Sequence, residues 1–184
     1  MNNNLIQFLQ EDNARWDKIK DLFQEKEIPA KTVLLHEGYI AQYIYFIKKG
    51  CLRMWFNNDG KDITFQFFFE NQGVASIESF LGNNPSSFSI ESIEPTTVIQ
   101  LSKENFHLLG GNYPQLKEKF QEILLQRMGN YAQLFLSRIK DSPRVRYEDL
   151  VENHPEIIQR VPQHYIASYL GITPISLSRI KNNR

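Results

Sequence analysis

The sequence predicts an α+β protein in three parts: a β-rich unit, then one long helix, then a small helical unit. Three observations carry this. Between Lys31 and Leu101, six short strand-like runs are separated by turn residues, the pattern of a sandwich or barrel. From Pro114 to Ile139 no second proline interrupts an apolar repeat at spacings of three and four. Beyond Ser142-Pro143 the strand signals do not return. The parts are accordingly drawn at residues 1–113, 114–141 and 142–184.

The elements follow in order. Trp16, Ile19, Leu22 and Phe23 fall at helical spacing and predict a short amphipathic helix over 14–25. After Pro29, strands are expected at 31–36, 43–49, 51–57 and 61–69, with Gly38 and Gly50 between the first three. Asn57-Asn58-Asp59-Gly60 is a hairpin turn, since Asp-Gly tolerates the positive φ such turns need. In 61–69, Ile63, Phe65, Phe67 and Phe69 share one face by alternation, and Phe68 on the other implies cover on both sides. Residues 73–87 read as irregular, and strands resume at 88–93 and 96–101. Ser102 caps a helix to Leu109, with Gly110-Gly111 ending it.

Leu116, Phe120, Leu124, Met128, Tyr131, Phe135 and Ile139 then define a helix of about 25 residues, roughly 37 Å long at 1.5 Å per residue. It outlasts the β-rich region, which favours a two-stranded dimer seam over a core helix. A helix at about 144–153, ended by His154-Pro155, and two further short helices complete the chain.

Composition narrows the function classes. Cys51 is the single cysteine, so a disulfide or a clustered-cysteine metal or iron–sulfur site within one chain is excluded, and a reducing cytoplasm is expected. No run of about 18 apolar residues spans a membrane, and Met1-Asn-Asn-Asn has no secretory character. The formal net charge is zero, yet from Arg138 to Arg184 eight basic residues face five acidic ones, a local excess of three positive charges. Arg179, Lys181 and Arg184 close the chain without an acid among them.

The most informative stretch is 163–182. A helix-turn-helix needs a small residue where its helices touch, a left-handed-tolerant residue four positions later, and an apolar core. Ala167, Gly171, and Ile166, Leu170, Ile172, Leu177 and Ile180 meet these demands. Thr173 caps the second helix and Pro174 occupies its first turn, where a missing N–H costs nothing. An ordinary αα-hairpin would not require basic residues beyond the second helix. If that helix enters a DNA major groove, Ile175, Ser176 and Arg179 face the bases, and the guanidinium of Arg179 matches guanine. Gln163, His164, Thr173, Ser176 and Lys181 are placed at backbone phosphates.

With the motif in place, the whole chain resembles the Crp/Fnr superfamily of transcription regulators, in particular its short Bacteroidetes-type members. The resemblance rests on Tyr43-Ile-Tyr-Phe-Ile-Lys-Lys-Gly-Cys-Leu-Arg53, Ile77-Glu-Ser-Phe-Leu81 and Arg160-Val-Pro-Gln-His-Tyr-Ile-Ala-Ser-Tyr-Leu-Gly-Ile-Thr-Pro174. It implies a double-stranded β-helix of the cyclic-nucleotide-binding type (a β-roll, or jelly roll), a dimerisation helix and a winged helix-turn-helix. A palindromic promoter site, a homodimer and RNA polymerase as a partner are implied with it. The family's nucleotide-binding members carry a Gly-Glu pair for the ribose and an Arg-Ser pair for the phosphate. Here Gly73 precedes Val74, and Ser86-Ser87 stand in place of Arg-Ser, offering hydroxyls but no positive charge. No cofactor is therefore expected, cyclic AMP included. Ser76, Glu78, Ser79, Ser86 and Ser87 are candidates for a pocket holding another small effector, or are simple loop and cap residues. Ile175 replaces the family's acid, and the chain stops soon after Lys181, so the wing is expected to be missing or vestigial.

Enzymatic readings find little support. A metal-dependent cupin needs clustered histidines, and His36, His107, His154 and His164 are dispersed. There is no Gly-rich phosphate loop and no nucleophile elbow. His36 and His107 stand alone, as structural histidines commonly do. The competing reading is a cyclic-nucleotide-binding-like interaction module that has lost DNA binding.

Overall fold

The computed structural model describes residues 5–182; Met1 to Asn4 and Arg184 of the sequence reading lie outside them. Among these residues eight strands form two four-stranded antiparallel sheets. The strands are β1 (Phe23–Ile28), β2 (Val33–Leu35), β3 (Tyr43–Lys49), β4 (Leu52–Asn58), β5 (Lys61–Phe68), β6 (Gly73–Val74), β7 (Ser89–Ser92) and β8 (Thr96–Ser102). One sheet runs β1-β8-β3-β6 and the other β2-β7-β4-β5. Apart from the β4–β5 hairpin, strands adjacent in sequence lie in opposite sheets, so the roll closes largely by long-range pairing, and its interior is a single apolar cluster including Ile44, Phe46, Leu52, Phe68, Ile90 and Val98. Two tight connections make this possible. Gly50 turns β3 into β4 with φ +103°, and a Cβ there would lie 2.4 Å from the Thr96 hydroxyl oxygen. Asp59 and Gly60 close the β4–β5 hairpin with φ of 50° and 82°.

Helices flank the roll: α1 (Leu5–Gln10), α2 (Asn13–Ile19), α3 (Ile77–Gly82), α4 (Lys103–Asn112) and the long α5 (Pro114–Lys140). The remainder is α6 (Pro143–Asn153), α7 (Pro155–Arg160), α8 (Gln163–Leu170) and α9 (Pro174–Asn182).

Several expectations are corrected. The helix expected over 14–25 ends at Ile19 and passes through a 3₁₀ turn at Lys20–Leu22, and Phe23 opens β1. That strand pairs Phe23 with Leu101 through Ile28 with Thr96; its polar Gln-Glu-Lys-Glu centre shows no alternation, so backbone pairing holds it and the side-chain pattern hides it. α1 precedes it unannounced. The irregular 73–87 contains β6 and α3, and α4 continues through Gly110 and Gly111 to Asn112. Three helices, not two, follow α6.

The shared face of Ile63, Phe65, Phe67 and Phe69 is also overturned. The register of β4 against β5 slips between Met54 and Trp55, which pair with Gln66 and Thr64. The extra residue reverses the alternation. Phe65 and Phe68 therefore meet the roll interior, whereas Phe67 and Phe69 join a second cluster outside it. The long-helix stripe divides similarly. Leu116 is buried and Phe120 packs on the roll core, but Met128, Phe135 and Ile139 are exposed.

Candidate nucleic-acid interface

The α8–turn–α9 unit is built from local chemistry. Gly171 takes φ +68° after the last turn of α8, its N–H bonding to Ser168 O, while Ile172 N donates to Ala167 O. These two bonds satisfy the orphan carbonyls in the Schellman arrangement. Ala167 and Leu177 are each 1% exposed, so the two helices touch where the small side chain permits. Thr173 Oγ1 accepts from Ser176 N at 3.1 Å and caps α9, with Pro174 in the first turn.

The residues expected at DNA fall on both helices of this unit. Gln163 and His164 are exposed in the first turn of α8, His164 lying against the Tyr165 ring at 4.0 Å. Thr173 is exposed, and its hydroxyl lies 3.0 Å from that of Ser176. Ile175 is 66% exposed and Arg179 is exposed one turn further along α9; Ser176 and Lys181 are half-buried. The solvent side of α9 thus presents Ile175 and Arg179 at i, i+4 spacing on one face.

A second feature escaped the sequence reading: α8 docks on the outer face of the roll. Ser168 Oγ accepts from Thr64 N and donates to Asp62 O, both at 2.8 Å, so one hydroxyl stitches α8 to β5. Beneath it Arg53 is 2% exposed. Its Nε donates to Glu91 at 2.7 Å, a second nitrogen lies 3.4 Å from Asp62, and Tyr165 stacks 3.9 Å from the guanidinium. A buried guanidinium needs this complete partner set, because the charge has left water. Nearby, Arg160 of α7 grips Glu70 bidentately at 2.8 Å and also bonds Glu94. These bonds hold the Glu70 carboxyl down at about 2. The joint is sealed by the second apolar cluster, in which Cys51, Phe67, Phe69 and Ile93 of the roll meet Tyr147, Leu150, Ile157 and Ile166. Burial pushes the Cys51 thiol up to about 12, so it is an inert packing group. The sequence signal was Arg53 itself, a charge between the apolar Leu52 and Met54 at the start of β4.

The candidate effector residues surround α3. Ser79 Oγ accepts from Ala41 N at 2.9 Å and bonds Asn84 O, and Ser86 Oγ bonds Phe88 N and O. Ser76 is buried at the N-cap of α3 without a capping bond from its side chain, and Glu78 and Ser87 are exposed. Nearby, Phe65 packs against Phe88 and Tyr131 at 5.1 and 5.2 Å, and Phe56 meets Phe88 edge-on. Among the described residues no group of three or more His, Cys, Asp or Glu side chains is placed to hold a metal, and no helix is long and apolar enough to cross a membrane.

Residues 25–111 match the family model of the cyclic nucleotide-binding domain. No curated protein matches the chain. Among solved structures, a CooA variant from Carboxydothermus hydrogenoformans superposes with a TM-score of 0.75 at 18% identity, covering 98% of this chain and 83% of its own. FixK2 from Bradyrhizobium japonicum gives 0.76 at 18% identity, with 88% and 83% covered. A protein described as a transcriptional regulator of the Crp/Fnr family, from Eubacterium rectale, gives 0.75 at 16% identity, with 94% and 82% covered. At such identities the likeness establishes the fold.

Proposed function

We propose that this chain, a cyclic nucleotide-binding-type domain at 25–111 set in the Crp/Fnr regulator fold, is a DNA-binding transcription regulator working as a homodimer at promoters. The observation that carries the reading is α9. It is held from behind by Leu177 and the turn at Gly171, while Ile175 and Arg179 face solvent with no roll residue over them. Such a helix is free to enter a major groove, with Arg179 at a guanine and Ile175 beside a thymine methyl. Gln163, His164, Thr173, Ser176 and Lys181 serve the flanking phosphates.

Dimerisation is supported by α5. Leu125, Met128, Phe135 and Ile139 are each 65–68% exposed, and with Ala132 they repeat at three and four residues. This is a heptad seam, and single soluble chains seldom leave such a stripe uncovered. A homodimer places two α9 helices on a two-fold symmetric site, and a complex assembled at a promoter adds RNA polymerase as a partner. For the roll we read no cyclic nucleotide held in the usual way. Ser86-Ser87 supply no cation for a phosphate, and the Ser86 hydroxyl is engaged by the Phe88 backbone. A different effector at Ser76, Glu78, Ser79, Ser86 and Ser87 would have to displace such bonds.

The test is a gel shift with the chain's own upstream DNA at two salt concentrations. Binding should fall steeply with salt as phosphate contacts are lost. Arg179→Ala should lose about 1–3 kcal/mol of discrimination between target and scrambled DNA while retaining most bulk affinity. Wild-type discrimination in that variant would remove Arg179 from the bases.

A further inference from the structure

A cleft of about 860 Å³ lies where the roll, α5 and the C-terminal helices meet, a size usual for small-molecule sites. Three arginines line it: Arg127 and Arg138 from α5 and Arg146 from α6. Arg138 donates to Tyr169 O at 3.0 Å; Arg146 donates to Arg138 O at 3.1 Å and to Leu170 O at 2.7 Å. Among the described residues none of the three has a carboxylate within ion-pair distance. The acids that share the cleft are Glu70, Asp141 and Asp149. Glu70 is taken by Arg160, and Asp149 accepts from Asn153.

Asp141 and Asp149 keep their charge in the lining, yet Arg138 and Arg146 bond backbone carbonyls and neither meets a carboxylate directly. Burial holds Arg138 below the usual arginine range, and the charge of Arg146 pushes it the same way. Arg146 Nε is buried with no partner, as is Gln7 Oε1, another residue of the cleft lining. A buried donor left unmade costs about 1–3 kcal/mol. An oxyanion would satisfy that donor and screen two like charges at once, and the planar fork of arginine suits phosphate and carboxylate. Arg127 and Arg138 stand eleven residues apart on one helix face, about 16 Å at 1.5 Å per residue, so an occupant reaching both is nucleotide-sized.

The cleft also remains open in the proposed homodimer. At about 100° per residue, its α5 residues centre on the side of the helix opposite to Leu125, Met128, Phe135 and Ile139. We propose that this cleft binds a small anionic effector, a phosphate- or carboxylate-bearing molecule seated between Arg138 and Arg146. The two carbonyls these arginines hold, Tyr169 O and Leu170 O, are the end of α8, so an occupant bears on the orientation of the reading unit. The inference goes beyond the DNA-binding reading and does not require it.

Calorimetric titration of the full chain with inorganic pyrophosphate, at constant ionic strength and without DNA, tests the proposal. Saturable binding at one site per chain is expected, weakened about tenfold or more in Arg146→Gln, the loss of one charge-assisted hydrogen bond. Arg179→Gln, which removes a cation from the reading helix, should leave it unchanged. If Arg146→Gln does not fold by circular dichroism, Arg138→Lys keeps the charge, removes the fork and should show the same loss. No saturable binding, binding unaltered in the cleft variant, or a loss in Arg179→Gln instead would each overturn the assignment.

Discussion

The two faces of the sheet β2-β7-β4-β5 are built on different principles. Its inner face, with Leu52, Met54 and Ile90, meets the opposite sheet mainly through apolar contact, with the Tyr45 hydroxyl donating across to Leu34 O at 3.3 Å. Its outer face mixes Phe67 and Ile93 with Arg53, Glu91 and Thr64, and meets α8 through hydrogen bonds of fixed direction. Apolar packing is non-directional and supplies most of the stability, whereas the polar joint specifies one orientation of the C-terminal unit. Ile90 and Glu91, adjacent in β7, stand on the two sides of this division.

The largest effect is expected inside. Ile90→Ala, at a position with no exposure, should cost about 4 kcal/mol and lower the denaturation midpoint of the whole roll. A cost under about 1 kcal/mol would mean that the interior is loosely packed. Glu91→Ala should cost about 3 kcal/mol, since it strands the buried Arg53 charge. Hydrogen exchange should then rise in α8 before it rises in β3, separating the joint from the core. Uniform acceleration would dissolve the distinction.

Acid should act on the joint as well. The Glu70 carboxyl sits at about 2 in the folded chain against an ordinary 4.5, so its contribution is fully present above about pH 4.5. It fades as pH falls from 4.5 towards 2, and protection of α7 should fall with it. In Glu70→Gln that part of the acid response should vanish. The smallest effect belongs to Ser168→Ala, which removes two hydrogen bonds at the edge of the joint and should cost about 1 kcal/mol by urea denaturation.

The same division explains what was legible in the sequence. The strands at Tyr43–Lys49, Leu52–Asn58 and Lys61–Phe68 were readable because turn residues bracket them, and the helix-turn-helix was readable because Ala167, Gly171 and Pro174 each answer a local stereochemical demand. Phe23–Ile28 was not, since its partner β8 lies some 70 residues away and its polar centre has no period. The bulge beside Met54 reversed the faces of Phe65 and Phe67 without a glycine to announce it. In α5, Leu116 and Phe120 answer to the roll and Met128, Phe135 and Ile139 to solvent. A spacing of three and four residues does not separate those two roles. The joint was least legible, as Thr64 and Ser168 are 104 positions apart. Of the residues expected at DNA, Ile175 and Arg179 are exposed on α9, whereas Arg138 and Arg146 were legible only as part of the local basic excess, because only the fold sets them side by side in a cleft.

Selection of bound sequences from a random DNA pool bears most directly on the central claim, that α9 reads DNA from a two-fold dimer. The account predicts an inverted repeat with half-sites about one helical turn apart, near 34–36 Å. Recovery of no enriched sequence, or of a single asymmetric half-site, would contradict it.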